Sequence, residues 1–252
     1  MKRALKRIAL YLRNYPHINK YKNHVKNKLN ADKVSLASIG GADINFLLFK
    51  SNKPFAMMRL AIVDHEENPF VIDRFSKSKR IQHETQVYKA CGPDQLTPEL
   101  LIAEDNFTVC RYIDGKSADQ LLKNGDIDFY DFYSSVLDLY VKIHQKGFSH
   151  LDATLKNIFY DTETDTYKVV DFEYYAKPEF KLESQKVYDY LRLTEYCLRF
   201  YGEDVSRVLK ILDQQALQSY NNIDLKICRP LLDRLNECSE IQSYLGRKNI
   251  LL

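Results

Sequence analysis

A polar motif in the middle of the chain has the residue types and spacing that phosphoryl transfer uses. His150, Asp152 and Asn157 follow the order H-x-D-x-x-x-x-N, and Asp171 begins a D-F-E sequence 19 residues after Asp152. Phosphoryl transfer needs a positioned nucleophile and neutralised phosphate charge more than covalent help from the protein. Asp152 would accept the proton of an attacking hydroxyl. Asn157 and Asp171 would bind Mg²⁺, which prefers hard oxygen ligands.

The elements around this motif have to bring its members to one edge of a cleft. A helix is predicted over 129–145, and the motif then runs from a loop into a short strand. A turn at 162–165 leads to a second short strand that ends at Asp171. This hairpin would place Asp171 beside Asp152 and Asn157.

The remaining elements are mostly strands first and mostly helices later. Three strands are predicted within 34–60, with Gly40 and Gly41 at the first turn. A helix over 76–91 and a strand over 107–113 follow, and the pattern after residue 184 is mostly helical. Such segregation is typical of the α+β class.

The motif order resembles that of the protein-kinase-like superfamily, whose catalytic loop and metal-binding Asp follow the same sequence. The resemblance implies ATP and Mg²⁺ as cofactors and a two-lobed α+β fold. A small β-rich lobe would span 34–108 and a larger, mainly helical lobe 109–252, with 1–33 as a basic N-terminal extension. The resemblance covers about residues 34–195 and is carried by motifs.

Departures from regulated protein kinases favour one branch of that superfamily. Leu151 replaces the Arg that precedes the catalytic Asp in many regulated kinases, and Thr154 stands where Ser/Thr kinases have Lys. The sequence DFEY at 171–174 is similar to that of choline/ethanolamine kinases, and YIDG at 112–115 resembles the segment after the hinge of aminoglycoside phosphotransferases and choline kinases. Arg59 in place of Lys also matches choline kinases. Small lipopolysaccharide core kinases share this compact organisation.

The resemblance assigns further site residues in the predicted sheet and helix. Gly40 and Gly41 would cover the phosphates with their backbone N–H groups. Arg59 would anchor phosphate, with Glu84 as its ion-pair partner. The alternatives are a simple hairpin turn at the glycines and an ordinary surface pair between Arg59 and Glu84.

Residues near the predicted hinge and the catalytic loop complete the implied site. The backbone groups of Arg111 and Ile113 would contact the adenine. Lys156 would reach phosphate or remain a solvated side chain. Asp189 would brace the catalytic loop by hydrogen bonds or be an exposed helix acid.

The N-terminal segment differs from the rest of the chain in charge. Residues 1–33 carry ten Lys or Arg and one acidic residue, a net charge of +9, while the remainder has a net charge of −6. The predicted helix over 2–14, bounded by Pro16, has Leu5, Ile8, Ala9 and Leu12 on one face. An anionic membrane surface would fit this helix. Nucleic acid is not expected as a partner, and the alternative is a helix packed on the domain with a solvated basic face.

Composition places the chain among globular proteins. Its five cysteines have no zinc-site spacing and indicate reduced thiols. No apolar run reaches the length of a transmembrane helix, and basic residues interrupt any signal-peptide core. We therefore expect a cytoplasmic protein, or one peripheral to the inner face of the membrane.

Three functions remain open at this point. The first is an ATP-dependent kinase for a hydroxyl of a small molecule or an envelope glycolipid, such as a lipopolysaccharide core sugar. The second is an atypical protein kinase, against which the missing activation segment argues. The third is a non-catalytic pseudokinase scaffold, which would not need Asp152, Asn157 and Asp171 together.

Overall fold

The structure is a computed structural model that describes residues 2–40, 43–63, 72–73, 76–200 and 204–252, without the side chains of 2–7, 10 and 72–73. It is mixed α+β, as the sequence predicts. Its buried apolar side chains form two clusters, one under the N-terminal sheet and one among the later helices.

Five antiparallel strands form the N-terminal sheet in the order β1-β2-β3-β6-β5. The first six strands of the chain are β1 Lys33–Ile39, β2 Asp43–Lys50, β3 Lys53–Ala61, β4 Ile72–Asp73, β5 Leu100–Glu104 and β6 Phe107–Arg111. Alternate residues of β2, namely Ile44, Phe46 and Leu48, are buried, so one face of the sheet supplies the first cluster. Ser51 and Asn52 both have positive φ at the β2–β3 turn, as tight hairpins require. Strand β5 was not predicted from the sequence.

Helix α1, Lys2–Lys28, is longer than the sequence predicts. The expectation that Pro16 bounds the helix is wrong, because the helix continues for a further twelve residues. Ile18 and Val25 in this second half are fully buried against the sheet. Their packing offsets the hydrogen bond that a proline removes from a helix.

The second cluster is built by helices and a small sheet. The helices are α2 Lys77–Cys91, α3 Ala118–Asn124, α4 Phe129–Gln145, α5 Leu182–Cys197, α6 Val205–Leu212 and α7 Ser239–Arg247. The remaining strands are β7 Gly115–Ser117, β8 Ile158–Asp161, β9 Thr166–Val169, β10 Tyr175–Ala176, β11 Ile223–Asp224 and β12 Ile250–Leu251. Strands β7, β8 and β9 form an antiparallel sheet, β10 pairs with β4, and β11 pairs with β12 in parallel.

Local signals explain the elements next to the predicted motif. The Asp128 side chain caps α4 by accepting hydrogen bonds from the N–H groups of Tyr130 and Asp131. Gly147 has φ +88° just after the helix, a conformation that glycine adopts without strain. Strands β8 and β9 then form the predicted hairpin. None of the helices within the described residues is long and apolar enough to cross a membrane.

Candidate functional site

A cleft of about 660 Å³ lies where the N-terminal sheet, α2 and the segment around Asp171 meet. Most of the predicted site residues line it: Gly40, Arg59, Glu84, Arg111, Ile113, Asn157 and Asp171. These residues come from positions up to 131 apart in the chain, so the fold brings together what the sequence keeps apart.

Arg59, on β3, joins four carboxylates in this cleft. Its Nε and Nη2 donate to Asp43 Oδ2 at 2.8 and 2.6 Å, and Nη1 donates to Glu84 Oε1 at 3.0 Å. Nη2 also donates to Glu173 Oε2 at 2.7 Å, and Nη1 contacts Asp171 Oδ1. The predicted ion pair between Arg59 and Glu84 is therefore present, and it is part of a larger network.

Arg80, in the first turn of α2, is a second cation in this network. It is 1% exposed and donates to Asp43 Oδ1 and Glu173 Oε2, both at 3.0 Å. Arg80 is not among the site residues predicted from the sequence. A signal existed, because Arg80 and Glu84 are four residues apart and therefore lie on one face of the helix.

The network is named here the arginine–carboxylate cluster and consists of Asp43, Arg59, Arg80, Glu84, Asp171 and Glu173. It contains two guanidinium groups and four carboxyl groups. With every group ionised, the cluster has two more negative than positive charges. A buried excess of this sign favours a bound cation.

Burial and neighbouring charges shift the pKa values of three acids of the cluster in different directions. Burial raises the pKa of Glu84, and burial together with the nearby Asp171 raises the pKa of Glu173. Burial also acts to raise the pKa of Asp43, but Arg59 and Arg80 outweigh it and the pKa lies below its usual value. Of these three acids, Asp43 is thus the one whose pKa the two arginines hold below its usual value.

The loop over 149–157 contains Asp152 and Asn157, of which Asn157 lines the cleft and Asp152 does not. The Asn157 side-chain N–H donates to Asp152 O at 3.1 Å and to Asp152 Oδ2 at 3.2 Å. This orientation directs the Asn157 amide oxygen away from Asp152, as a metal ligand would require. Burial raises the pKa of Asp152, and the nearby charge of Asp171 acts in the same direction.

His150 fixes the backbone of this loop. The Asp152 N–H donates to His150 Nδ1 at 3.2 Å, so Nδ1 is an acceptor without a proton. The other ring nitrogen, Nε2, lies 2.8 Å from Val170 O and donates to it. The buried imidazole therefore links the loop to the residue before Asp171.

Asp189, on α5, braces the same loop, as predicted. It is fully buried and accepts hydrogen bonds from the N–H groups of His150 and Leu151, both at 2.7 Å. Its Oδ2 also lies 3.0 Å from Nε2 of His144 on α4. The alternative of an exposed helix acid is wrong.

Two residues of the site have backbone conformations that non-glycine residues seldom adopt. Leu151 has φ +62° and Asp171 has φ +74°. Each donates its N–H to a buried side chain, Leu151 to Asp189 and Asp171 to the hydroxyl of Tyr88 at 3.2 Å. Tyr88 in turn donates to Glu84 at 2.8 Å. Strained positions of this kind persist only where neighbours hold them, and they concentrate at functional sites.

Some predicted residues have other roles than those expected. The Gly40 N–H already donates to Asp43 O at 2.8 Å, so it is not available as a phosphate cradle in this conformation. A side chain at Gly40 would place its Cβ 2.9 Å from the same oxygen, which explains the glycine. Gly41 lies outside the described residues. Lys156 is exposed and does not line the cleft.

At the predicted hinge, some backbone groups are already hydrogen-bonded to neighbouring strands or their ends. The Arg111 N–H donates to Glu99 O at 2.8 Å, and the Tyr112 N–H donates to Phe55 O at 3.0 Å. The N–H groups of Arg111 and Tyr112 are therefore not available to an adenine in this conformation. Ile113 follows the strand and lines the cleft.

Comparison with protein-family models gives no match for this chain, and a search of curated proteins finds no similar sequence.

Proposed function

We propose that this protein is an ATP- and Mg²⁺-dependent phosphotransferase with a two-lobed, protein-kinase-like arrangement. The observation that carries the proposal is the convergence of Arg59, Glu84, Asn157 and Asp171 on one cleft, with Asp152 bonded to Asn157 beside it. Two apolar clusters are compatible with two lobes, although Val87, Tyr88 and Cys91 of α2 pack in the second cluster and not under the sheet.

The residues of the cleft fit a magnesium nucleotide. Two arginines face four carboxyl groups in the arginine–carboxylate cluster, so a divalent cation at Asp171 would balance the excess charge. Within the described residues, no group of three or more His, Cys, Asp or Glu side chains forms a metal site by itself. Asp171 and Asn157 would therefore hold Mg²⁺ together with the phosphate oxygens, as hard oxygen ligands suit this ion. Bound there, Mg²⁺ neutralises negative charge on the phosphates.

In this proposal, side chains of the protein transfer the proton, bind phosphate and position the loop. Asp152 accepts the proton of the acceptor hydroxyl, and its raised pKa brings it closer to the pH at which a general base works best. All five N–H groups of Arg59 donate to carboxylates in this structure, so a bound phosphate would replace Asp171 or Glu173 as a partner of Arg59. Glu84 would continue to orient the guanidinium. His150 and Asp189 hold the loop so that Asp152 does not have to be positioned during the reaction.

The acceptor that we propose is a hydroxyl of a small molecule or an envelope glycolipid, such as a lipopolysaccharide core sugar. The DFEY sequence at 171–174 and the lack of an activation segment support this class over a protein acceptor. We place the reaction in the cytoplasm or at the inner face of the membrane.

Single substitutions test the proposed reaction. Purified wild-type protein, Asp152→Ala and Asp171→Ala are incubated with γ-labelled ATP, Mg²⁺ and fractionated cell extract. We expect the loss of Asp152 to lower transfer by about 10²–10⁴-fold, the usual cost of removing a general base. Asp171→Ala should also weaken binding of Mg-ATP, measured by calorimetry. Asp105→Ala, an exposed aspartate in the β5–β6 turn, is the matched control and should behave as wild type.

The distribution of label separates the acceptor classes. Label in lipid or small-molecule fractions supports the proposal, and label in protein fractions replaces it with a protein kinase. Equal transfer by the wild type and both variants contradicts the assigned residues. If no fraction is labelled and Mg-ATP does not bind, the protein is a non-catalytic pseudokinase scaffold and the proposal is wrong.

A further inference from the structure

The two halves of α1 have different surroundings. In the second half, Ile18 and Val25 are fully buried against the five-stranded sheet. In the first half, Ile8, Leu12 and Tyr15 are 48%, 63% and 46% exposed. One continuous helix therefore has an anchored half and a half that presents apolar side chains outward.

The exposed side chains of the first half form a stripe. Residues 8, 12 and 15 are separated by four and three positions, a spacing that places them on one side of a helix. Among the described residues, seven large hydrophobic side chains are clearly exposed, and these three are the only ones that share a helix face in this way. We name Ile8, Leu12 and Tyr15 the apolar stripe.

The charge of the helix limits what can cover the stripe. Helix α1 contains nine Lys or Arg and no Asp or Glu among its 27 residues. Arg13 and Lys20 are exposed in its described part. A second copy of the chain would bring two such helices together, and their like charges would repel.

We propose that the first half of α1 docks on an anionic membrane surface. The apolar stripe would enter the boundary between headgroups and acyl chains, and the basic residues would lie among the anionic headgroups. Nucleic acid would use the positive charge but would leave the three apolar side chains in water. The stripe and the charge together therefore favour lipid. The inference rests on α1 alone and does not depend on the proposed phosphotransfer.

The absence of tryptophan from the sequence allows a direct test with the full chain. Leu12→Trp introduces a single indole into the apolar stripe. Ile227→Trp is the matched control, because Ile227 is 47% exposed in a short helical turn far along the chain. The proteins are mixed with phosphatidylcholine vesicles, with or without phosphatidylglycerol.

We expect a blue shift of the Leu12→Trp emission with the phosphatidylglycerol vesicles, and weaker binding as salt increases. The control tryptophan should keep its emission. Replacing Ile8 and Leu12 together by Ser should lower the vesicle partition coefficient of the otherwise unchanged chain by about tenfold or more. Circular dichroism of this variant checks that the anchored half still folds.

Each of four results would overturn the inference. The first is unchanged emission of Leu12→Trp on both kinds of vesicle. The second is an equal shift for the two tryptophan variants. The third is a blue shift that grows with protein concentration in the absence of vesicles, which would identify a second copy as the partner. The fourth is a protein that binds an RNA oligonucleotide but no vesicles, with RNA affinity unchanged when Ile8 and Leu12 are replaced. Nucleic acid would then be the partner of the helix.

Discussion

The arginine–carboxylate cluster and the 149–157 loop lie side by side but are held in different ways. In the cluster, side chains from distant parts of the chain pair with one another, and Arg59 alone contacts residues 112 and 114 positions away. In the loop, the buried carboxylate of Asp189 accepts hydrogen bonds from the backbone N–H groups of His150 and Leu151.

This difference determines what each region contributes. Charges buried in the cluster are tolerable only as long as their partners remain, because an unpaired buried charge is costly. The loop carries little charge of its own and depends on satisfied backbone groups. We therefore expect substitutions in the cluster to affect folding first, and substitutions that touch the loop to affect geometry and rate first.

The largest effect on stability is expected for Arg80→Met. Methionine has a similar length but leaves Asp43 and Glu173 with Arg59 as the remaining cation of the cluster. We expect the free energy of unfolding in urea to fall by about 3–5 kcal/mol, the usual cost of removing one partner of a buried pair. Arg13→Met, on the exposed part of α1, is the control. A loss no larger than that of the control would show that the cluster does not depend on Arg80.

A smaller effect is expected for Asp189→Asn. The amide keeps the shape and one acceptor, but the NH₂ group cannot accept the second N–H of the loop. We expect a loss of about 1–3 kcal/mol in unfolding free energy, as for a buried donor left unpaired. In the proposed reaction kcat should fall while the KM for ATP stays unchanged, since the loop positions Asp152 and not the nucleotide. Asp138→Asn, exposed on α4, is the control. A change in KM alone would contradict the positioning role.

The acid limb of the pH–rate profile examines the loop without a substitution. Burial raises the pKa of Asp152 above its ordinary value of 3.8, and only the ionised form accepts a proton. The rate should therefore fall with decreasing pH through this raised pKa, at a higher pH than an ordinary aspartate would cause. Circular dichroism over the same range shows whether the protein stays folded. A rate that remains flat down to pH 3.8 would remove Asp152 from this role.

The smallest effect is expected for Arg111→Ala, outside both regions. Its side chain pairs with Glu99 at 2.7 Å, but both side chains are about half exposed, so the pair contributes about 0–1 kcal/mol. The proposed adenine contact uses the Arg111 backbone, so affinity for Mg-ATP in calorimetry should not change. A clear loss of affinity would mean that the side chain itself takes part in binding.

Local sequence determined the 149–157 loop and the hairpin after it. The spacing from His150 to Glu173 constrains a short loop and two short strands, and the structure has these elements at the predicted positions. The ion pair of Arg59 with Glu84 and the bracing by Asp189 came from the resemblance and are also present. The loop and hairpin were predictable because neighbouring residues in sequence specify them. The two contacts each join two elements and followed from the resemblance alone.

Tertiary structure alone decided the features that depend on several elements at once. Asp43 and Arg80 entered the site because the start of β2 and the first turn of α2 meet there. The spacing of Arg80 and Glu84 indicates a shared helix face but not this meeting. Packing of Ile18 and Val25 against the sheet carried α1 past Pro16, overriding a local stop signal. Ion pairs and packing between residues distant in sequence form only when the chain folds and brings them together. A loop motif, in contrast, is specified by its neighbours in sequence.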